Sequence, residues 1–204
     1  MTETHEVIEA EPAAAAGPLA GDPSVLGLIV FIPGGVSLGL ALTGYMTLFA
    51  GVAVFLFVTG LGQIVATIWA AALGQTAVAA VFGIFASFWI SLGIQLTGLT
   101  HNWFGIPAGD KVLQGYLISY IVVFAILTVT TLRLPLAFTT IFGLVTLTFV
   151  FVLIGVLDTS TTVWNTIAGY LVFVFTAVCA YVLAGGASLA TGGPAMNLGK
   201  PVQK

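Results

Sequence analysis

Between Ser24 and Gly109 the chain carries no Asp, Glu, Lys or Arg. No water-soluble domain can present a folded surface across such an interval, because charged side chains keep that surface solvated. Soluble domains carry about a quarter charged residues; here the whole chain has 5% charged and 59% hydrophobic residues. Lipid must therefore face most of it. In a bilayer every backbone N–H and C=O must be paired internally, which leaves helices or a closed barrel. The apolar blocks are continuous and lack the alternation of barrel strands. An all-α, polytopic membrane protein with six transmembrane helices is the expectation.

Each block is long enough for a helix through roughly 30 Å of hydrocarbon. Spans are expected at about 24–45, 47–72, 76–99, 112–132, 136–157 and 163–187. Gly74-Gln75-Thr76 and Asp158-Thr159-Ser160-Thr161 read as turns, Thr100 to Asp110 as a polar loop, and Pro135 as a break after Arg133. The chain divides into an N-terminal tail (1–22) rich in Glu, Ala, Pro and Gly, a membrane domain (23–189) and a C-terminal tail (190–204). The acidic start lacks the positive n-region of a secretory signal. No internal repeat is visible.

An even number of spans puts both termini on one side. With the N-terminus in the cytoplasm, Arg133, Lys200 and Lys204 lie inside and Lys111 outside. The positive-inside rule favours that orientation in a cell membrane, with both termini cytoplasmic. Trp103 and Trp164 would then sit near the outer interface and Trp69 near the inner one, where amphipathic rings are favoured.

The charge pattern excludes several classes. Without a basic patch, nucleic acid is a poor partner. Cys179 stands alone in the last apolar block, so no intrachain disulfide is available. No metal-ligand cluster, P-loop or nucleophile–base set is present, so neither enzyme chemistry nor a cofactor or metal is expected. The spans contain no Asp, Glu, Lys, Arg or His. Such residues mark most proton relays and ion pathways. A permeating solute would be neutral, would carry its own proton, or would be an anion held by dipoles and hydroxyls.

Several residues within the spans invite a functional reading. Phe31-Ile32-Pro33-Gly34-Gly35 reads either as an ordinary proline kink or as a broken helix whose N–H groups face a carboxylate. Ala79, Gly83, Ser87 and Ser91, followed by Gln95, form a stripe at a spacing of four. The stripe is a helix-packing seam or a polar strip along a pore. Gly35 and Gly39 share that spacing and are candidates to meet it. Gln63 is alone in its span, and a buried amide needs partners, from a neighbouring helix or from a pore. Trp89 lies mid-span, away from the usual interface, and reads as core or pore wall.

Read in order, these residues resemble a known family. Asp22-Pro23-Ser24-Val25-Leu26-Gly27-Leu28 resembles the Asn-Pro-Ala-Pro-Leu-Gly-Leu signature that opens the first helix of the acetate uptake transporters, the succinate–acetate permease-like proteins. Gly44-Tyr45, Gln63, Gly74-Gln75-Thr76 and Ser87-Phe88-Trp89 match further family positions in sequence. The resemblance spans about residues 22–187. It implies a six-helix protomer in a homo-hexamer, each protomer passing acetate and related small carboxylates, succinate among them, through its own pore. It implies a neck made by Phe31, by Phe85 in a position where the family has Tyr, and by Leu144 or Val145. It also implies a helix-opening motif formed by Asp22, Pro23, Leu26 and Gly27. The chain departs from the family text at Asp22, Val25, Pro33-Gly34-Gly35, Gly39 and Leu42.

The expected function is transmembrane passage of small monocarboxylates through an apolar constriction, with hydroxyls from Ser87 and backbone near Pro33 at its edges. The alternatives are a channel for a neutral solute such as urea, ammonia or water, and an assembly subunit that transports nothing.

Overall fold

The computed structural model describes residues 20–105 and 110–203, so most of the expected N-terminal tail, part of the polar loop and Lys204 lie outside it. Six of its helices are long and apolar enough to cross a membrane, and among the described residues there is no strand. α1 is Pro23–Leu42. The second span begins with a 3₁₀ turn, Leu48–Gly51, passes through a π-helical stretch, Val54–Gly60, and ends as α2, Leu61–Ala72. α3 is Thr76–Thr100 and α4 is Asp110–Thr130, followed by a 3₁₀ turn over Thr131–Arg133. α5 is Leu136–Leu157 and α6 is Val163–Ala190.

α1 starts where Asp22 accepts a hydrogen bond from the Ser24 N–H at 2.8 Å, with Pro23 in the first turn. This is the arrangement that satisfies orphan N–H groups and pre-sets φ. α1 stops short of Tyr45, because the Thr43 hydroxyl turns back to the Gly39 carbonyl and Gly44 adopts φ +82°. Gly74, at φ +73°, makes the same kind of reversal between α2 and α3. α6 outruns its expected end. Gly185 and Gly186 are taken up by packing against Met196 and Val25 instead of breaking the helix.

Around the bundle the helices run in the order α3, α2, α1, α6, α5, α4, each packed on the next. The ring closes between α4 and α3 through side chains. There the Ser91 hydroxyl lies 3.2 Å from that of Tyr116 and 3.0 Å from that of Tyr120, and Tyr116 donates to the Phe88 carbonyl. Ile29, Phe57, Ile68, Ile126, Val129 and Val174 point outward, as a lipid-facing surface requires.

α1 sits in the ring by close approach. A Cβ at Gly27 would run into the Phe82 ring, one at Gly34 into Thr59, and one at Gly35 into Thr176. Gly39 meets Phe173 of α6, where a Cβ would lie 2.6 Å from the ring. Gly35 and Gly39 thus pack on α6, not on the α3 stripe the sequence suggested. α3 meets α1 at Gly27 and Phe31, nearer the start of the helix.

Both chain ends described here lie on one face, termed the terminal face. Residues after α6 fold back across it. The Leu198 carbonyl accepts from Ala137 N–H, and the Leu132 carbonyl accepts from Val202 and Gln203. Tyr181 donates to the Asn197 carbonyl. On the opposite face, hydrogen bonds to Asp158 from Ser160 and then Trp164 fix the α5–α6 turn and hold that carboxyl below its usual range.

Replacing Gly27 by Ala should destabilise the detergent-solubilised protein by about 1–3 kcal/mol through overpacking. The double variant with Phe82→Leu should recover part of that loss, as read by thermal unfolding.

Candidate permeation path

Two cavities enter the ring from its two ends. The terminal-face cavity has a volume of about 280 Å³, and its walls include Ser24, Leu28, Gln63, Val81, Phe138 and Cys179. The opposite-face cavity, about 100 Å³, is walled by Leu38, Leu92, Tyr116, Val145, Thr148 and Phe149 among others. Phe31 and Phe85 belong to both linings. They are the partition between the cavities.

The partition is aromatic and dry. The rings of Phe31 and Phe85 meet edge-to-face, centroids 5.3 Å apart at 70°. Phe31 also touches Trp89 and Phe175, at 5.9 and 6.0 Å. Phe85 is backed by Phe124 at 4.9 Å and Phe142 at 6.1 Å. Edge-to-face contacts of this kind add to simple burial. Among the described residues, no Asp, Glu, Lys or Arg lines either cavity. An ion entering such a waist loses its hydration with nothing in exchange, whereas a neutral molecule surrenders only a few hydrogen bonds.

The expected site residues divide sharply. Phe31, Phe85, Gln63, Trp89 and Val145 border the cavities. Val145 is 2% exposed and lines the opposite-face cavity, while Leu144 packs at the edge of the core and lines neither. Position 145, not 144, is the aliphatic neighbour of the waist.

Pro33 does not border the path. It is exposed on the outer surface, and α1 continues through it unbroken. Two residues along a helix amount to about 200° of rotation, which turns Pro33 away from the side that Phe31 occupies. Gly34 is buried, but its contact is Thr59 of the second span. The broken-helix reading therefore fails, and no freed N–H groups face the waist.

Ser87 also lies off the path. It is exposed, and its hydroxyl bonds back to the Gly83 carbonyl at 2.8 Å. With Gly83, Ser91 and Gln95 it borders an outward groove of about 650 Å³ beside α2. The helix-opening motif proves architectural at two of its positions, with Asp22 capping α1 and Gly27 admitting the Phe82 ring. Leu26 is half-buried, Pro23 is buried, and Ser24 and Leu28 of the same segment reach the terminal-face cavity.

Sequence reading missed the second ring of aromatics, Phe88, Phe124, Phe142, Phe149 and Phe175, all buried around the waist. A signal for them was available. Tyr116, Tyr120 and Phe124 recur every four residues, and Phe142, Val145 and Phe149 follow at three and four, each set marking one helix face.

The arrangement is that of a six-span helical membrane protein with two internal cavities divided by an aromatic partition. The chain belongs to the GPR1/FUN34/yaaH family, whose sequence model matches residues 8–193. Among solved structures its fold is similar to that of the bacterial acetate channel SatP. The TM-score is 0.78 at 23% sequence identity, covering 87% of this chain and 98% of that one. Comparison with curated protein sequences gives no match.

Trimming the partition should loosen it. Phe85→Leu is expected to raise the permeability of proteoliposomes to small neutral solutes, by about tenfold for each ~1.4 kcal/mol removed from the barrier. Ile126→Leu on the lipid side should leave permeability unchanged. Osmotic swelling rates compare the two.

Proposed function

We propose that this protein passes acetate and related small monocarboxylates across a membrane, the solute crossing the Phe31–Phe85 waist as the neutral acid. The observation that carries the reading is the pair of cavities that reach one shared aromatic partition from opposite faces. Family membership and the likeness of the fold to an acetate channel support the choice of substrate class. A carboxylate would lose its hydration in the waist without a countercharge. Protonation outside the waist removes most of that cost, and the proton travels with the solute. The chain then needs no titratable relay of its own, in keeping with cavity linings that hold no Asp, Glu, Lys, Arg or His among the described residues.

We further propose a homo-hexamer in the cell membrane with both termini cytoplasmic. Arg133 and Lys200 on the terminal face, against Lys111 on the other, support the orientation. The outward groove along Gly83, Ser87 and Ser91 offers small residues for close contact with a neighbouring copy. Native mass spectrometry of the solubilised protein checks the copy number.

The transport reading is tested by uptake of labelled acetate, succinate, lactate and urea into proteoliposomes against a pH gradient. Acetate influx should climb about tenfold per unit of external pH above the acid's pKa as the pH is lowered at fixed total acetate, because the neutral fraction does so. Uptake of urea without uptake of acetate would identify a neutral-solute channel instead. Copurification with an enzyme and no flux at all would identify an assembly subunit.

A further inference from the structure

The second span turns a stripe of Phe55, Thr59, Gln63, Ala66 and Ala70 into the bundle. Two of these are polar. Gln63 is 0% exposed, yet neither its Nε2 nor its Oε1 has a hydrogen-bond partner among the described residues. The Thr59 hydroxyl, also fully buried, has none either. Most helical hydroxyls in this chain behave differently: Thr67, Thr97, Thr128, Thr146 and Thr148 each bond back to the carbonyl four residues earlier. Thr59 lies within the π-helical stretch, whose altered turn displaces that carbonyl.

An orphaned buried amide is costly, and native structures keep few of them. Gln63 also lies in the wall of the terminal-face cavity together with both waist residues, Phe31 and Phe85, its amide covered in the resting structure. A primary amide has a donor and an acceptor side by side. That pair matches a protonated carboxyl group: the amide oxygen accepts from the acid O–H while the amide N–H donates to the acid carbonyl. An ionised carboxylate offers acceptors only and can use one half of the pair.

We propose that Gln63 is the selectivity station at which a protonated carboxyl group pairs before it crosses the waist. The assignment rests on the transport reading above. It makes Gln63 the residue that separates a carboxylic acid from other small neutral solutes of similar size, which the aromatic partition alone cannot do.

The test is acetate uptake by proteoliposomes of the full chain, carrying the wild type, Gln63→Leu or Thr59→Val, with thermal unfolding measured on the same preparations. Gln63→Leu should raise the KM for acetate about tenfold or more, the scale set by loss of hydrogen bonds in a dry site. Its unfolding temperature should stay level or rise, since an amide left unpaired at rest is removed. Thr59→Val, close in shape and packed on Gly34 away from both cavities, should leave KM near the wild-type value. Unchanged KM in Gln63→Leu overturns the station while leaving transport standing. A fall in unfolding temperature with unchanged KM does so too and makes the amide structural. A wild type that takes up no acetate sinks the transport reading and the station with it.

Discussion

The edge-to-face contact between Phe31 and Phe85 is where the architecture converges. It joins α1 to α3 across the middle of the ring and separates one cavity from the other. Both rings are held from behind, Phe31 by Trp89 and Phe175 and Phe85 by Phe124 and Phe142. The waist is thus built from α1, α3, α4, α5 and α6 together. Glycines on α1 make this possible. With side chains at Gly27, Gly34 or Gly35, α1 would stand farther from its neighbours and Phe31 would not reach its partner.

Length and hydropathy made the spans legible, because hydrocarbon thickness fixes how many apolar residues a helix needs. The direction each helix faces was much less so. Along α1, α4 and α5 both faces are apolar, one toward lipid and one toward the core, so little pattern remains to mark the inside. Phe31 and Phe85 came from family resemblance. Hydropathy alone does not set Phe31 at the centre and Phe57 in lipid.

The errors have the same origin. Ser87 and Pro33 looked functional because a hydroxyl and a helix breaker stand out in an apolar text. In lipid, however, a serine satisfies itself by bonding its own helix, as Ser87 does to Gly83. A proline facing outward gives up one backbone hydrogen bond, and α1 continues through it all the same. Gln63 ran the other way. Its isolation in the sequence was a fair signal, since an amide has no comparable means of satisfying itself within the helix and must find partners elsewhere.

The manner in which the ring closes bears on its mechanics. Glycine contacts lock α1 to the second span and to α6, where no slack remains. At α3 and α4 the closure combines hydroxyls on Ser91, Tyr116 and Tyr120 with ring contacts of Phe85 on Phe124 and Phe88 on Tyr120. Because α3 carries Phe85 and α4 carries Phe124, the seam that closes the ring also sets the backing of the partition.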